Sequence, residues 1–131
     1  DMLAERLIWL PEFTVRRRQI ADAYRQGIDN RLVTHLAVPE QASAHVYHLV
    51  VCVCERREAL QTHLNQHNVQ SLIHYPIPVH RQEPCLAVKR DPLGLPNSEQ
   101  HAAHCLSLPC HPQMSDYDIK QVIDAVNAFK G

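Results

Sequence analysis

The side chains of this 131-residue chain that are best suited to chemistry crowd into one run, Ile73-His74-Tyr75-Pro76-Ile77-Pro78-Val79-His80-Arg81-Gln82. Two imidazoles, a phenol, a guanidinium and a carboxamide supply donors, acceptors and a stacking face. Those are the groups that hold a polyhydroxylated or phosphorylated ligand. Pro76 and Pro78 stiffen the segment and so lower the ordering cost of binding. The competing reading is a rigid surface loop with Tyr75 as a packing anchor. Polar loops on rigid scaffolds often carry function, which keeps ligand contact in play.

Other constellations are weaker. His63 and His67 lie four apart, and His101 and His104 lie three apart with Cys105 next, so each pair can share one helix face. Pairs do not close a zinc site, which needs four convergent ligands, and exposed helix histidines are expected instead. Ser71, Ser107 and Ser115 occur in no G-x-S-x-G setting. The three glycines, Gly27, Gly94 and Gly131, form no phosphate-binding loop. Arg16, Arg17 and Arg18 fan out by about 100° each on a helix and cannot form one clamp, so a solvated face is expected.

The five cysteines, Cys52, Cys54, Cys85, Cys105 and Cys110, are odd in number and lack C-x-x-C spacing. They read as reduced, mostly buried thiols of a cytoplasmic protein. A net charge of −1 and a pI near 6.9 argue against a nucleic-acid partner. No apolar run approaches the roughly 20 residues of a membrane span. Asp1 to Arg6 lacks signal-peptide character. Met2 is a candidate initiator, and the alternative is a piece cut from something longer. A hydrophobic share of 45% and a charged share of 21% suit one globular domain.

The loop must be held by elements. Leu3, Leu7, Leu10, Phe13, Ile20, Tyr24 and Ile28 recur at helical spacing, which predicts a helix from about Met2 to Ile28, kinked at Pro11 or restarted there. Arg31 to Ala44 reads as loop. His45 to Cys54 reads as a strand, its nearly continuous apolar run suggesting cover on both faces. A helix is expected from about Arg56 to His67, closed by Asn68, then a short strand over Val69 to His74. Seven of the nine prolines lie between Pro76 and Pro112, so that stretch is largely loop. Within it a short helix is expected from Ser98 to about Cys105, with Asn97 and Gln100 as a capping box, then a short strand over Leu106 to Leu108. Ser115 and Asp118 open the last helix, whose stripe is Ile119, Val122, Ile123, Val126 and Phe129. The sum is an α+β layer, a small sheet with helices mostly on one face.

Four ordered segments carry a family resemblance. The run from His74 to Gln82 resembles the H-Y-P-x-P-x-H-x-Q signature of DegT-type nucleotide-sugar aminotransferases. Arg17-Arg18-Gln19-Ile20-Ala21 with Tyr24 is similar to that family's R-R-x-I-A-x-x-Y helix. His45 to Val51 is similar to its H-V-Y-H-L-Y-V strand, and Leu106 to Ser115 to its L-S-L-P-x-H-P-x-M-S segment. Asn68-Val69 stands where Gly-Ile is usual, and Val50 where an aromatic is usual.

The resemblance covers only the family's C-terminal small domain. It implies a mainly antiparallel three-stranded sheet in an aspartate-aminotransferase-like fold. Residues 1–30 would be a long helix linking to an absent large domain, and residues 31–131 the small domain itself. It also implies pyridoxal phosphate in the full-length parent and none in this chain, since Lys89, Lys120 and Lys130 lie outside the family's lysine motif. His74, Tyr75, His80 and Gln82 would be substrate-side groups toward a nucleotide-linked keto sugar. His45, Tyr47 and His48 would be structural, and His111 and Pro112 would set the turn into the last helix. The chain alone is expected to be inactive and to form a homo-oligomer through the helix face bearing Leu3, Ile8 and Trp9. The alternatives are a stand-alone, non-catalytic ligand-binding or interaction module, and, less favoured, a metal-binding protein.

Overall fold

The computed structural model describes residues 2–89 and 91–131, with the side chains of 2–4 and 42 outside that description. Leu3 therefore lies outside the described side chains. Five helices and three strands follow in the order α1 (Met2–Ile8), α2 (Leu10–Gly27), β1 (Thr34–His35), β2 (Val50–Val53), α3 (Arg57–Gln66), α4 (Pro96–His104), β3 (Cys105–Leu108) and α5 (Asp116–Ala128). The α+β class and the three-stranded antiparallel sheet are as expected. The strand order is β1-β2-β3, with Val51 opposite Ser107 and Cys52 opposite both His35 and Leu106.

The first helical segment restarts rather than bends. Trp9 separates α1 from α2, and Pro11 sits in the first turn of α2, where its missing N–H costs nothing. The apolar seam then splits in two. Ile20, Tyr24 and Ile28 are buried in this chain's own core, whereas Leu7 is 64% and Leu10 48% exposed. At the far end Gly27 allows α2 to close on α5, because a Cβ there would lie 2.8 Å from Ile123 Cδ1.

Helix α5 packs against both α2 and α3, and α3 also packs against β3 of the sheet. Val50 and Cys52 point to the core and Val51 and Val53 are half-buried, while all four residues of β3 are buried. Ser115 and Asp118 form the expected capping box on α5, with Ser115 Oγ accepting from Asp118 N–H. Asn68 closes α3 in the left-handed region at φ 58°.

Several expectations are corrected. The predicted loop over Arg31 to Ala44 contains β1, a pair too short to show a period. The predicted strand over His45 to Cys54 is regular only from Val50, because Tyr47 takes φ 48° and breaks the extension. The predicted strand over Val69 to His74 contracts to one bridge, Leu72 with Ser107, on the open edge of β3. Asn97 does not cap α4. Pro96, with its pre-set φ, starts the helix two positions earlier and leaves Leu95 at the cap without a side-chain bond. The three arginines do not form a solvated face. Arg16 binds the Met114 carbonyl at 2.7 Å and Asp116 at 2.8 Å, and Arg18 binds the His45 carbonyl at 3.0 Å.

Candidate functional site

The Leu72–Ser107 bridge decides where the polar loop begins. Leu72 exchanges both backbone hydrogen bonds with Ser107, at 3.2 and 2.7 Å, so the chain leaves the sheet edge immediately before His74. His74 Nδ1 then lies 2.9 Å from Ser107 Oγ, and the His74 ring meets Tyr75 edge-on at 5.4 Å. Beyond the two prolines, single 3₁₀ turns over Val79–Arg81 and Glu83–Cys85 fold the loop back toward α4.

Between this loop and α4 lies a groove of about 750 Å³. His74, Tyr75, His80 and Gln82 all line it, so the structure gathers the four residues singled out from sequence. Tyr75 is 69% exposed and offers its ring to the groove mouth. Gln82 is exposed, with a 3.4 Å contact from its amide to the Ile77 carbonyl. His80 is largely covered, its side chain 15% accessible. From α4, Asn97, Ser98 and His101 complete the opposite wall.

Glu99, which follows Ser98 in the first turn of α4, is the residue that sequence reading missed. Its Oε1 accepts from His80 Nε2 at 3.1 Å and from Arg81 Nε and Nη2 at 3.0 and 2.7 Å. The Arg81 and then the His80 hydrogen bonds hold the Glu99 carboxyl below its usual range. Glu99 is eighteen residues from Arg81 along the chain, so no local spacing signals the contact.

Cys52 and Cys110 are unsuited to nucleophilic work. Burial pushes Cys52 up to about 12 and Cys110 up to about 11, which suppresses their thiolates. Among the described residues no cluster of three or more histidines, cysteines or acids can hold a metal ion. His63 Nε2 instead contacts the Ala125 carbonyl at 2.9 Å, and His67 Nδ1 the His63 carbonyl at 2.8 Å.

His45 and Tyr47 tie their segment to α2. The Tyr47 N–H donates to His45 Nδ1 at 2.8 Å, and Arg25 donates to the Tyr47 hydroxyl at 3.0 Å. His111 accepts from Met114 N–H at 3.1 Å in the turn before α5.

The DegT/DnrJ/EryC1/StrS aminotransferase family model matches residues 2–127. The chain belongs to that family. It is 38% identical over 128 residues to dTDP-3-amino-3,6-dideoxy-alpha-D-galactopyranose transaminase of Aneurinibacillus thermoaerophilus, covering 98% of this chain and 34% of that protein. It is 36% identical to dTDP-3-amino-3,4,6-trideoxy-alpha-D-glucose transaminase of Streptomyces venezuelae, again over 98% of this chain and 34% of the relative. The X-ray structure of DesV from S. venezuelae superposes with a TM-score of 0.85 at 31% identity, over 96% of this chain and 34% of DesV. The chain thus spans about a third of the length of the relatives it matches.

That family implies pyridoxal phosphate, and the groove by itself does not fit it. Its single lysine among the described residues, Lys89, is exposed, and the Arg81 guanidinium next to His80 in the chain is committed to Glu99. Lys120 pairs with Asp124 on the exposed face of α5. Among the described residues no buried amine lies beside a second free cation that would hold the cofactor's phosphate.

Proposed function

We propose that this chain is the C-terminal small domain of a pyridoxal-phosphate-dependent aminotransferase acting on a nucleotide-linked keto sugar. The observation that carries the reading is the groove in which His74, Tyr75, His80 and Gln82 converge, open to solvent along the face of α4. Tyr75 stacks on the sugar or its carrier, and the imidazoles and the Gln82 amide hydrogen-bond hydroxyl or phosphate oxygens. These groups position substrate. The cofactor and its lysine belong to the large domain that the longer relatives possess, and this chain alone does not transaminate.

The N-terminal helices supply the joint. Leu7, Ile8, Trp9, Leu10 and Val15 are all roughly half or more exposed, an apolar surface of the kind that is normally covered. Residues 1–30 form the link, with that surface lying against the large domain. In the isolated chain the same surface drives self-association. A cytoplasmic setting belongs to the same reading; among the described residues no helix is long and apolar enough to cross a membrane.

Fusion tests the reading. The chain is joined behind the N-terminal two-thirds of the 38%-identical Aneurinibacillus transaminase, in place of its own C-terminal third. The chimera is expected to bind pyridoxal phosphate and aminate a dTDP-linked keto sugar with glutamate as donor. A folded, cofactor-loaded chimera with no aminating activity contradicts the proposal.

A further inference from the structure

We infer that Glu99 is a positioning residue that fixes His80 as the Nε2–H tautomer, so that Nδ1 faces the ligand groove as a hydrogen-bond acceptor and selects a donor group such as a sugar hydroxyl. This rests on the groove being the substrate site. The argument begins with the carboxylate. An ionised carboxylate only accepts, so the 3.1 Å contact places the proton on His80 Nε2. Which imidazole nitrogen keeps the proton is set by the bond the other makes, and in the neutral ring Nδ1 is then left with a lone pair.

The rest of the ring's surroundings agree. Among the described residues Nδ1 has no hydrogen-bond partner, and His80 is one of the residues that line the groove. The side chain is otherwise well covered, which limits its rotation. Arg81, the neighbour that would attract anions to the loop, gives two of its donors to the same Glu99 oxygen, at 3.0 and 2.7 Å. At His80 the groove therefore presents an acceptor, and the adjoining Arg81 guanidinium is engaged with Glu99. A hydroxyl finds a partner there; a phosphate oxygen would meet a lone pair.

All three bonds fall on Oε1, so an amide carbonyl in the same place can receive them. Glu99→Gln should therefore preserve the arrangement, and Glu99→Ala should abolish it. The decisive measurement is a long-range ¹H–¹⁵N spectrum of the histidine-labelled chain at a pH where the ring is neutral, with His80 assigned from the His80→Ala variant. The wild type and Glu99→Gln are expected to show His80 as Nε2–H, and Glu99→Ala a mixture of tautomers. A wild-type ring protonated on Nδ1 overturns the inference, as does a single unchanged tautomer in Glu99→Ala.

The chimera separates this inference from the reading beneath it. Glu99→Ala is expected to lower kcat/KM about tenfold or more, chiefly through KM, with Glu99→Gln restoring it to within about threefold of wild type. If Tyr75→Ala impairs turnover but Glu99→Ala does not, the groove stands and the tautomer role fails. If neither impairs it, the groove assignment itself fails.

Discussion

Ser107 Oγ sits 2.9 Å from His74 Nδ1, which joins the buried strand β3 to the first residue of the polar loop. Ser107 is 4% exposed, and its hydroxyl is one of the few polar side-chain groups in the core. A side chain that the sequence offers only as an unsupported nucleophile thus serves as an anchor. Replacing it with alanine removes one neutral hydrogen bond and leaves a half-buried imidazole nitrogen to find another partner. Ser107→Ala should cost about 1 kcal/mol in urea unfolding. In the chimera it should raise the substrate KM more than that loss of stability alone would explain.

Tyr24 makes a long-range side-chain tie from the core. Its hydroxyl donates to the Pro109 carbonyl at 2.7 Å, and burial raises the phenol well above its ordinary value. Tyr24→Phe keeps the ring and strands that carbonyl. A loss of about 1–2 kcal/mol in denaturant midpoint analysis is expected, with an unchanged slope.

Leu60 on α3 is fully buried within the cluster that joins α2, α3, α5 and the sheet. Leu60→Ala should destabilise by about 2–5 kcal/mol, a large share of what a domain of this size possesses. Thermal unfolding would show it as a clear drop in Tm.

The capping box gives an acid limb. The Ser115 hydroxyl and backbone N–H both donate to Asp118, and those bonds hold its carboxyl below the usual range. A carboxyl lowered on folding adds stability that is fully present above its unfolded pKa of about 4. That contribution is lost as the pH falls through the lower, folded value. Asp118→Asn should therefore reduce Tm near neutrality and show a flatter decline in acid than the wild type.

Self-association should follow the exposed end of α1. Trp9, 54% exposed, and Ile8, 75% exposed, stand on the surface assigned to the absent large domain. Light scattering of the isolated chain is expected to show a dimer or larger species. Ile8→Glu with Trp9→Glu should return it to monomer, and a wild-type monomer at high concentration would count against this role for the helix.

Elements with a long apolar period were legible in the sequence. Helices α2, α3 and α5 announce themselves because Ile20 and Tyr24, Leu60 and Leu64, and Ile119, Val122 and Val126 repeat on one face. The short strands were not. Thr34–His35 is too brief for alternation, and Val69 to His74 has strand composition but pairs only at Leu72. The loop's membership of one groove was legible because prolines and polar groups share ten residues. Its supports were not, since Ser107 and Glu99 reach it through folding across 33 and 19 residues.

The central claim is that the groove beside α4 holds the sugar nucleotide, and steady-state kinetics of the chimera test it most directly. Tyr75→Ala and His74→Ala should each lower kcat/KM for the dTDP-linked keto sugar by about tenfold or more, while His67→Ala, on the exposed end of α3, should leave it unchanged. Groove variants as efficient as their parent would contradict the account.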